Sequence, residues 1–360
     1  MKQLFKTCCL LFITASGVYG QEVEIINKTF EANDSTVVNL DLKNVYVNIE
    51  ASPDNKVHIS SKMLFNKYTK RQKEKILERV KVDAVSKNNN IKINGEGNVW
   101  STYSSFWSRS ILFGRALKTD TVNVKKSKTE ILEQINIDGY GSKKGNTPTA
   151  DAFVLTPKSK RYKHTRSLFV IKIPTNVSIN IRGKNCTTRF KDITNPIKLN
   201  IERGGLMAGS LKNTNNKIYL KDGYFKVGKL NGGEYGLNDV NKGLIGEIEN
   251  VNIKSNFSKL EIGEIGKNVS VTDFNSEFWF YNFSDNLFKK FYQNSDYSKI
   301  HFYDDLKVSF QSDDKGPLIL NTNEVKITKD NSVYSIKGYF KGIMEGGEIK
   351  YANTILYYHD

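Results

Sequence analysis

The chain has 360 residues, with 54 Lys and Arg against 38 Asp and Glu, a formal net charge of +16. That length leaves core size unconstrained, and three Cys exclude a disulfide-built mini-fold. The basic balance suits anionic polysaccharide, lipid head groups or nucleic acid, but no nucleic-acid-binding motif accompanies it.

Lys2 and Lys6 precede the apolar run Cys8-Cys9-Leu10-Leu11-Phe12-Ile13, and small residues follow as far as Gly20. This is the pattern of a secretory signal peptide over 1–20, cut before Gln21. The run is too short for a bilayer span, which takes about 20 apolar residues, and no other stretch is long and apolar enough. The expectation is an exported protein without a transmembrane segment, periplasmic, on the outer cell surface or secreted. Cleavage would remove Lys2 and Lys6 and lower the charge from +16 to +14. It would also leave Cys186 as the one cysteine, with no His or acid pattern beside it, which reads as a small buried apolar residue.

Residues 21–98 read as the first coils of a β repeat, from the alternating runs at Val23/Ile25, Val38/Leu40, Val45/Val47/Ile49 and Val57/Ile59. His58 alternates with Val57 and Ile59 and so faces away from them. One short amphipathic helix is expected over about 69–82, with Ile76, Leu77 and Val80 on one stripe. It could cap an open end of the repeat.

Residues 99–166 break the pattern and form an aromatic and basic insertion. Trp100, Tyr103, Phe106 and Trp107 lie among small hydroxyl residues, with Arg109 following, and the segment closes on a basic run containing Lys160, Arg161 and Lys163. Aromatics beside cations could form a platform for sugar rings or a membrane interface, and these eight residues are the candidate ligand-binding set. Packing of the aromatics against the repeat wall is the competing reading.

Over 167–360 the repeat is explicit. Short alternating runs close at Ile193, Leu211, Leu230, Ile248, Ile265 and Phe283, spaced by 18, 19, 18, 17 and 18 positions. Between them lie Leu199/Ile201, Ile218/Leu220, Tyr235/Leu237, Val251/Ile253 and Val269/Val271. A two-strand unit cannot bury its apolar face alone, but stacked copies can. The predicted class is therefore all-β, a single-stranded parallel β-helix or β-solenoid of about 18 residues per turn, right-handed by the general chirality of parallel crossovers. The stretch 284–292 reads as a helical bulge, after which Ser298-Lys-Ile-His-Phe-Tyr303 aligns with Ser258-Lys-Leu-Glu-Ile-Gly263 forty positions earlier. The tail from Gly347 alternates well enough to close the far end.

The segments Val45-Tyr-Val-Asn-Ile-Glu-Ala-Ser-Pro-Asp-Asn-Lys-Val-His-Ile59 and Val170-Ile-Lys-Ile-Pro-Thr-Asn-Val-Ser-Ile-Asn-Ile181 resemble the strand, turn, strand and strand, proline, strand elements of the bacterial β-strand-repeat family of "putative adhesins". The likeness covers about Phe30 to Leu306 without the insertion. It implies a right-handed parallel β-helix outside the cell, and it supplies no catalytic residues.

Catalytic signals are sparse. There are four His (His58, His164, His301, His359), no His-Glu-x-x-His, no paired Cys outside the leader and no Gly-x-Ser-x-Gly. No metal or other cofactor is expected, and Gly232-Gly-Glu-Tyr-Gly-Leu-Asn-Asp239 only faintly resembles a calcium-binding nonapeptide, without a second copy. Asp304-Asp305 and Asp313-Asp314 read as solvated turns. The leading expectation is a non-catalytic cell-envelope scaffold or adhesion module that binds anionic polysaccharide or another surface component. The alternative is a polysaccharide lyase or glycosidase with carboxylates grouped on one wall.

Overall fold

The computed structural model describes residues 21–66, 68–97, 126–135, 164–191, 193–284, 291–303, 326–330, 333–344 and 347–359. Among them the chain is all-β, with two short helices, Lys70–Leu77 and Lys128–Ile135. The strands begin with β1 (Gln21–Glu31), β2 (Val37–Lys43), β3 (Tyr46–Ala51), β4 (Lys56–Asn66), β5 (Lys81–Lys87) and β6 (Asn90–Glu96). Then come β7 (His164–Ile173), β8 (Ser178–Phe190) and the long strands β9 (Ile197–Leu211), β10 (Lys217–Asn231) and β11 (Glu234–Glu249). Shorter strands follow: β12 (Val251–Asn256), β13 (Lys259–Ile265), β14 (Val269–Phe274), β15 (Glu277–Phe280), β16 (Phe291–Asp296) and β17 (Lys299–Phe302). β18 (Lys326–Asp330), β19 (Val333–Lys337), β20 (Tyr339–Met344), β21 (Gly347–Ala352) and β22 (Ile355–Tyr358) complete the described strands.

Two parallel ladders organise these strands. The first runs β6, β2, β8, β9, β10, β11, β12, β14, β16, β21. The second joins β3 to the later halves of β8 to β11 and continues through β13, β15, β17 and β22. Along the first ladder Leu199, Ile218, Tyr235, Ile253 and Val271 stand in register. Period-two alternation sends these side chains inward, where they are buried with Ile245, Ile262 and Phe280 of the second ladder in one apolar cluster. The forty-residue alignment also holds, because Lys259, Glu277 and Lys299 are successive register partners.

The chain passes from the first ladder to the second at residues with positive φ: Asn44, Asn185, Arg203, Asp222, Asp239, Phe257, Asn275, Tyr297 and Asn353. Asn and Asp tolerate this left-handed conformation. Phe257 (φ 50) and Tyr297 (φ 54) do not tolerate it so readily, and for such residues it costs about 1–2 kcal/mol each. Behind the corner, hydroxyls replace ladder carbonyls: Val240 donates its N–H to Ser258 Oγ at 3.0 Å, Ser258 to Ser276 Oγ at 3.2 Å, and Ser276 to Ser298 Oγ at 3.2 Å.

The first helix is shorter than the expected 69–82. Thr69 and Gln72 form a capping box at its start, and after Leu77 the N–H groups of Arg79 and Val80 close tight turns on Ile76 and Leu77. The chain is extended again by Lys81, because β5 pairs antiparallel with β6. This helix buries none of its residues. The opening strands also depart from a uniform repeat: β2 and β3 join the parallel ladders, whereas β1 pairs antiparallel with β4, and β4 with β7.

The second helix lies on the outer face of the second ladder. Ile131 and Ile135 are buried there with Leu244, Tyr281 and Tyr303. Gly246 makes this approach possible, since a Cβ at that position would sit 2.6 Å from Leu132 Cδ2 and 2.4 Å from the Gly228 carbonyl oxygen. Ion pairs frame the contact: Lys126 with Glu261, Lys128 with Glu247 and, at 3.1 Å, Glu264, and Lys229 with Glu247 at 2.5 Å. Burial opposes the charge on Glu247, but Lys128 and Lys229 outweigh it and hold that carboxyl below the usual range. Gly246→Val should expel the helix and also strain the β10–β11 pairing at the Gly228 carbonyl. Hydrogen exchange would then show lost protection at Leu132 and Ile135 with β12 and β14 unchanged; unchanged protection of the helix amides would refute this account of its seat.

Candidate functional site

The outer face of the first ladder carries a concavity of about 620 Å³ across β6, β2, β8, β9 and β10. Two register rows build it. One row is Lys92, Asn39, Asn180, Lys198, Lys217, and the other is Asp41, Arg182, Asn200, Tyr219. At about 4.8 Å per strand the first row is about 19 Å long. Asn180 donates to Asn39 at 2.9 Å, and Asn39 donates to Asn90 at 2.9 Å, so a carboxamide chain runs along the floor. Lys92, Arg182, Lys198 and Lys217 are exposed and take part in no ion pair among the described residues. Asp41 is the one carboxylate in the lining. Four unneutralised cations around amide donors and acceptors fit an extended anionic ligand rich in hydrogen-bonding groups.

The same face continues past this groove. Tyr219 is 43% exposed, and its ring edge fills the space that a Cβ on Gly236 would occupy, 2.9 Å from Cδ2. Lys254 and Thr272 follow in that row. At the corner beyond them, Phe257, Phe274 and Tyr297 are 52%, 40% and 59% exposed. Their rings meet edge to face, with centroids 5.5 Å and 5.9 Å apart.

Two titratable clusters lie elsewhere. His301 is buried between Trp279 and Tyr357, with ring centroids 5.0 Å and 4.4 Å away, and its Nδ1 lies 3.0 Å from His359 Nε2. Its Nε2 lies 3.3 Å from Glu277 Oε1, and this hydrogen bond holds the Glu277 carboxyl below its ordinary range. Inside the stack, buried Asp273 accepts hydrogen bonds from Ser295 and Ser298, and Gln293 links Ser295 to Tyr351. Among the described residues no group of three or more His, Cys, Asp or Glu is arranged to hold a metal ion.

The sequence-derived site set, Trp100, Tyr103, Phe106, Trp107, Arg109, Lys160, Arg161 and Lys163, lies outside the described residues, as do Asp304-Asp305, Asp313-Asp314 and the 285–290 part of the expected bulge. Cys186 is buried and unpaired, and burial pushes its thiol up to about 12, as suits a small apolar core residue. His58 faces away from the buried Val57 and Ile59 and meets Thr29 and Asp54. No described helix is long and apolar enough to cross a membrane. Sequence reasoning missed the groove. Its one local signal is the recurrence of polar residues at outward positions, Asn180/Arg182, Lys198/Asn200 and Lys217/Tyr219, at the repeat spacing.

No protein-family model matches the chain, and no curated protein is significantly similar to it. Among solved structures, the chain is similar to a "putative cell adhesion protein" from Clostridium sporogenes, 13% identical, with 72% of this chain and 77% of that chain covered and a TM-score of 0.21.

Asp273 generates a pH test. Burial pushes its carboxyl from 3.8 up to about 6, against the two Ser hydroxyls, which favour the carboxylate. The folded state therefore holds the proton more tightly than the unfolded chain. This group's contribution is fully present at low pH and is lost as pH rises through about 6, by up to about 3 kcal/mol. Asp273→Asn should accordingly gain stability relative to the parent between about pH 4 and about pH 7 in urea unfolding. An equal difference at both pH values would mean that Asp273 is not the buried acid responsible.

Proposed function

We propose that this chain is an exported, non-catalytic β-solenoid that serves as a cell-envelope scaffold or adhesion module, gripping an anionic surface polymer in the groove on its first ladder. The solenoid reading is supported by in-register parallel pairing at the repeat spacing. The leader pattern over 1–20 supports export. The observation that carries the binding role is the row of cations at Lys92, Lys198 and Lys217, joined by Arg182, which make no ion pair among the described residues although Asp41 stands beside Arg182 and Glu234 beside Lys217 in register. Elsewhere on the surface, lysines such as Lys128 and Lys229 are consumed by glutamates. A glycosidase would call for a pair of carboxylates flanking the scissile bond, and the groove lining holds a single one, Asp41.

The test compares two quadruple variants of equal charge change, read by calorimetry with polygalacturonate at low and physiological salt. One is Lys92→Ser, Arg182→Ser, Lys198→Ser and Lys217→Ser; the other is Lys70→Ser, Arg71→Ser and Lys75→Ser on the first helix with Arg79→Ser in the turn after it. The groove variant should lose at least about tenfold in affinity and much of the salt dependence, and the helix variant should lose little. Equal losses in the two would reduce the effect to net charge and remove the groove.

A further inference from the structure

Phe257 and Tyr297 occupy left-handed corners at φ 50 and 54, whereas Asn275 and Asn353 occupy the equivalent corners of the neighbouring coils. Three of them make the same bond to the residue before the next corner, Phe257 donating its N–H to Phe274 O, Asn275 to Asp296 O and Tyr297 to Ala352 O, while Asn353 donates to Gly338 O. Asn therefore serves the backbone at this corner, and the aromatic side chains add strain without adding burial, since both are more than half exposed. With Phe274 they form an exposed aromatic cluster at the edge of the face that carries the cationic groove. Four strand steps, about 19 Å, and four residues along the strand, about 13 Å, separate Lys198 on β9 from Phe274 on β14, about 23 Å in all, and the connecting surface carries Tyr219 and Lys254.

We propose that the Phe257, Phe274 and Tyr297 corner is a second subsite for the ligand of the groove, and that the ligand is an acidic polysaccharide built from pyranose rings. This rests on the groove reading above. A pyranose presents an apolar C–H face that packs on aromatic rings, and its acid and hydroxyl groups match the cations and carboxamides of the groove. A polyanion without such rings satisfies the groove alone. A polymer crossing the face obliquely meets both subsites, because the Lys198 row reaches β14 at Ser270, four residues before Phe274.

The experiment measures binding of polygalacturonate and of polyaspartate to the full mature chain, to the Phe257→Asn/Tyr297→Asn double variant and to the groove quadruple variant. The double variant installs the residue that Asn275 and Asn353 already supply, so its thermal midpoint should stay level or rise as the strain is relieved. Its affinity for polygalacturonate should fall about tenfold, with polyaspartate binding unchanged. Undiminished polygalacturonate binding by the double variant overturns the subsite, as does an equal loss for both polymers. If the quadruple variant abolishes binding while the double variant does not, the groove stands and only the aromatic subsite falls. If the parent protein binds neither polymer, both fall.

Discussion

In-register parallel pairing is the constraint on which the rest of this structure depends. A parallel ladder sets each residue beside its counterpart one coil away, so whatever is chosen at one position becomes a row about 4.8 Å in step. Inward, the rows are Ile, Leu, Val and Phe and make one continuous apolar cluster. Outward, the same rule turns Asn39 and Asn180 into a carboxamide chain, and Lys198 and Lys217 into adjacent cations. Like charges placed side by side across strands are destabilising. A fold that retains them beside a concavity carries that cost on the surface, where screening keeps it small and an anionic ligand can offset it.

The corner between the ladders shows the same logic in the backbone. The chain turns from the first ladder into the second at one positive-φ residue each time, followed after β12, β14, β16 and β21 by a buried Ser or Thr. The Ser258, Ser276 and Ser298 hydroxyls accept the N–H groups that the corner would otherwise leave unpaired. With the turn over-determined in this way, Phe257 and Tyr297 can be held in a conformation that bulky residues rarely adopt.

The two outer walls differ in electrostatic character. Along the second ladder, Glu247, Glu261 and Glu264 are matched by Lys126, Lys128 and Lys229, and the Lys128–Ile135 helix covers part of the wall where Gly246 leaves room. Along the first ladder the groove cations have no such matching, and no described helix lies over them.

Much of the β architecture was legible in the chain itself, because burial of alternating apolar residues at a 17–19-residue spacing leaves few alternatives to stacked strands. Cys186 in the core, His58 turned outward and the match of Ser298 to Ser258 two coils earlier all follow from that periodicity. Only the tertiary structure decided that β6 and β8 flank β2, since Asn39 and Asn180 meet across 141 positions and no local pattern encodes a pairing at that range. It also decided that β1 and β4 pair antiparallel and that Phe257 and Tyr297 sit at left-handed corners against their own preferences. Alternation specifies which way a side chain faces. The neighbours it acquires across the ladder, and hence the groove, are set by which strands the folded chain brings side by side.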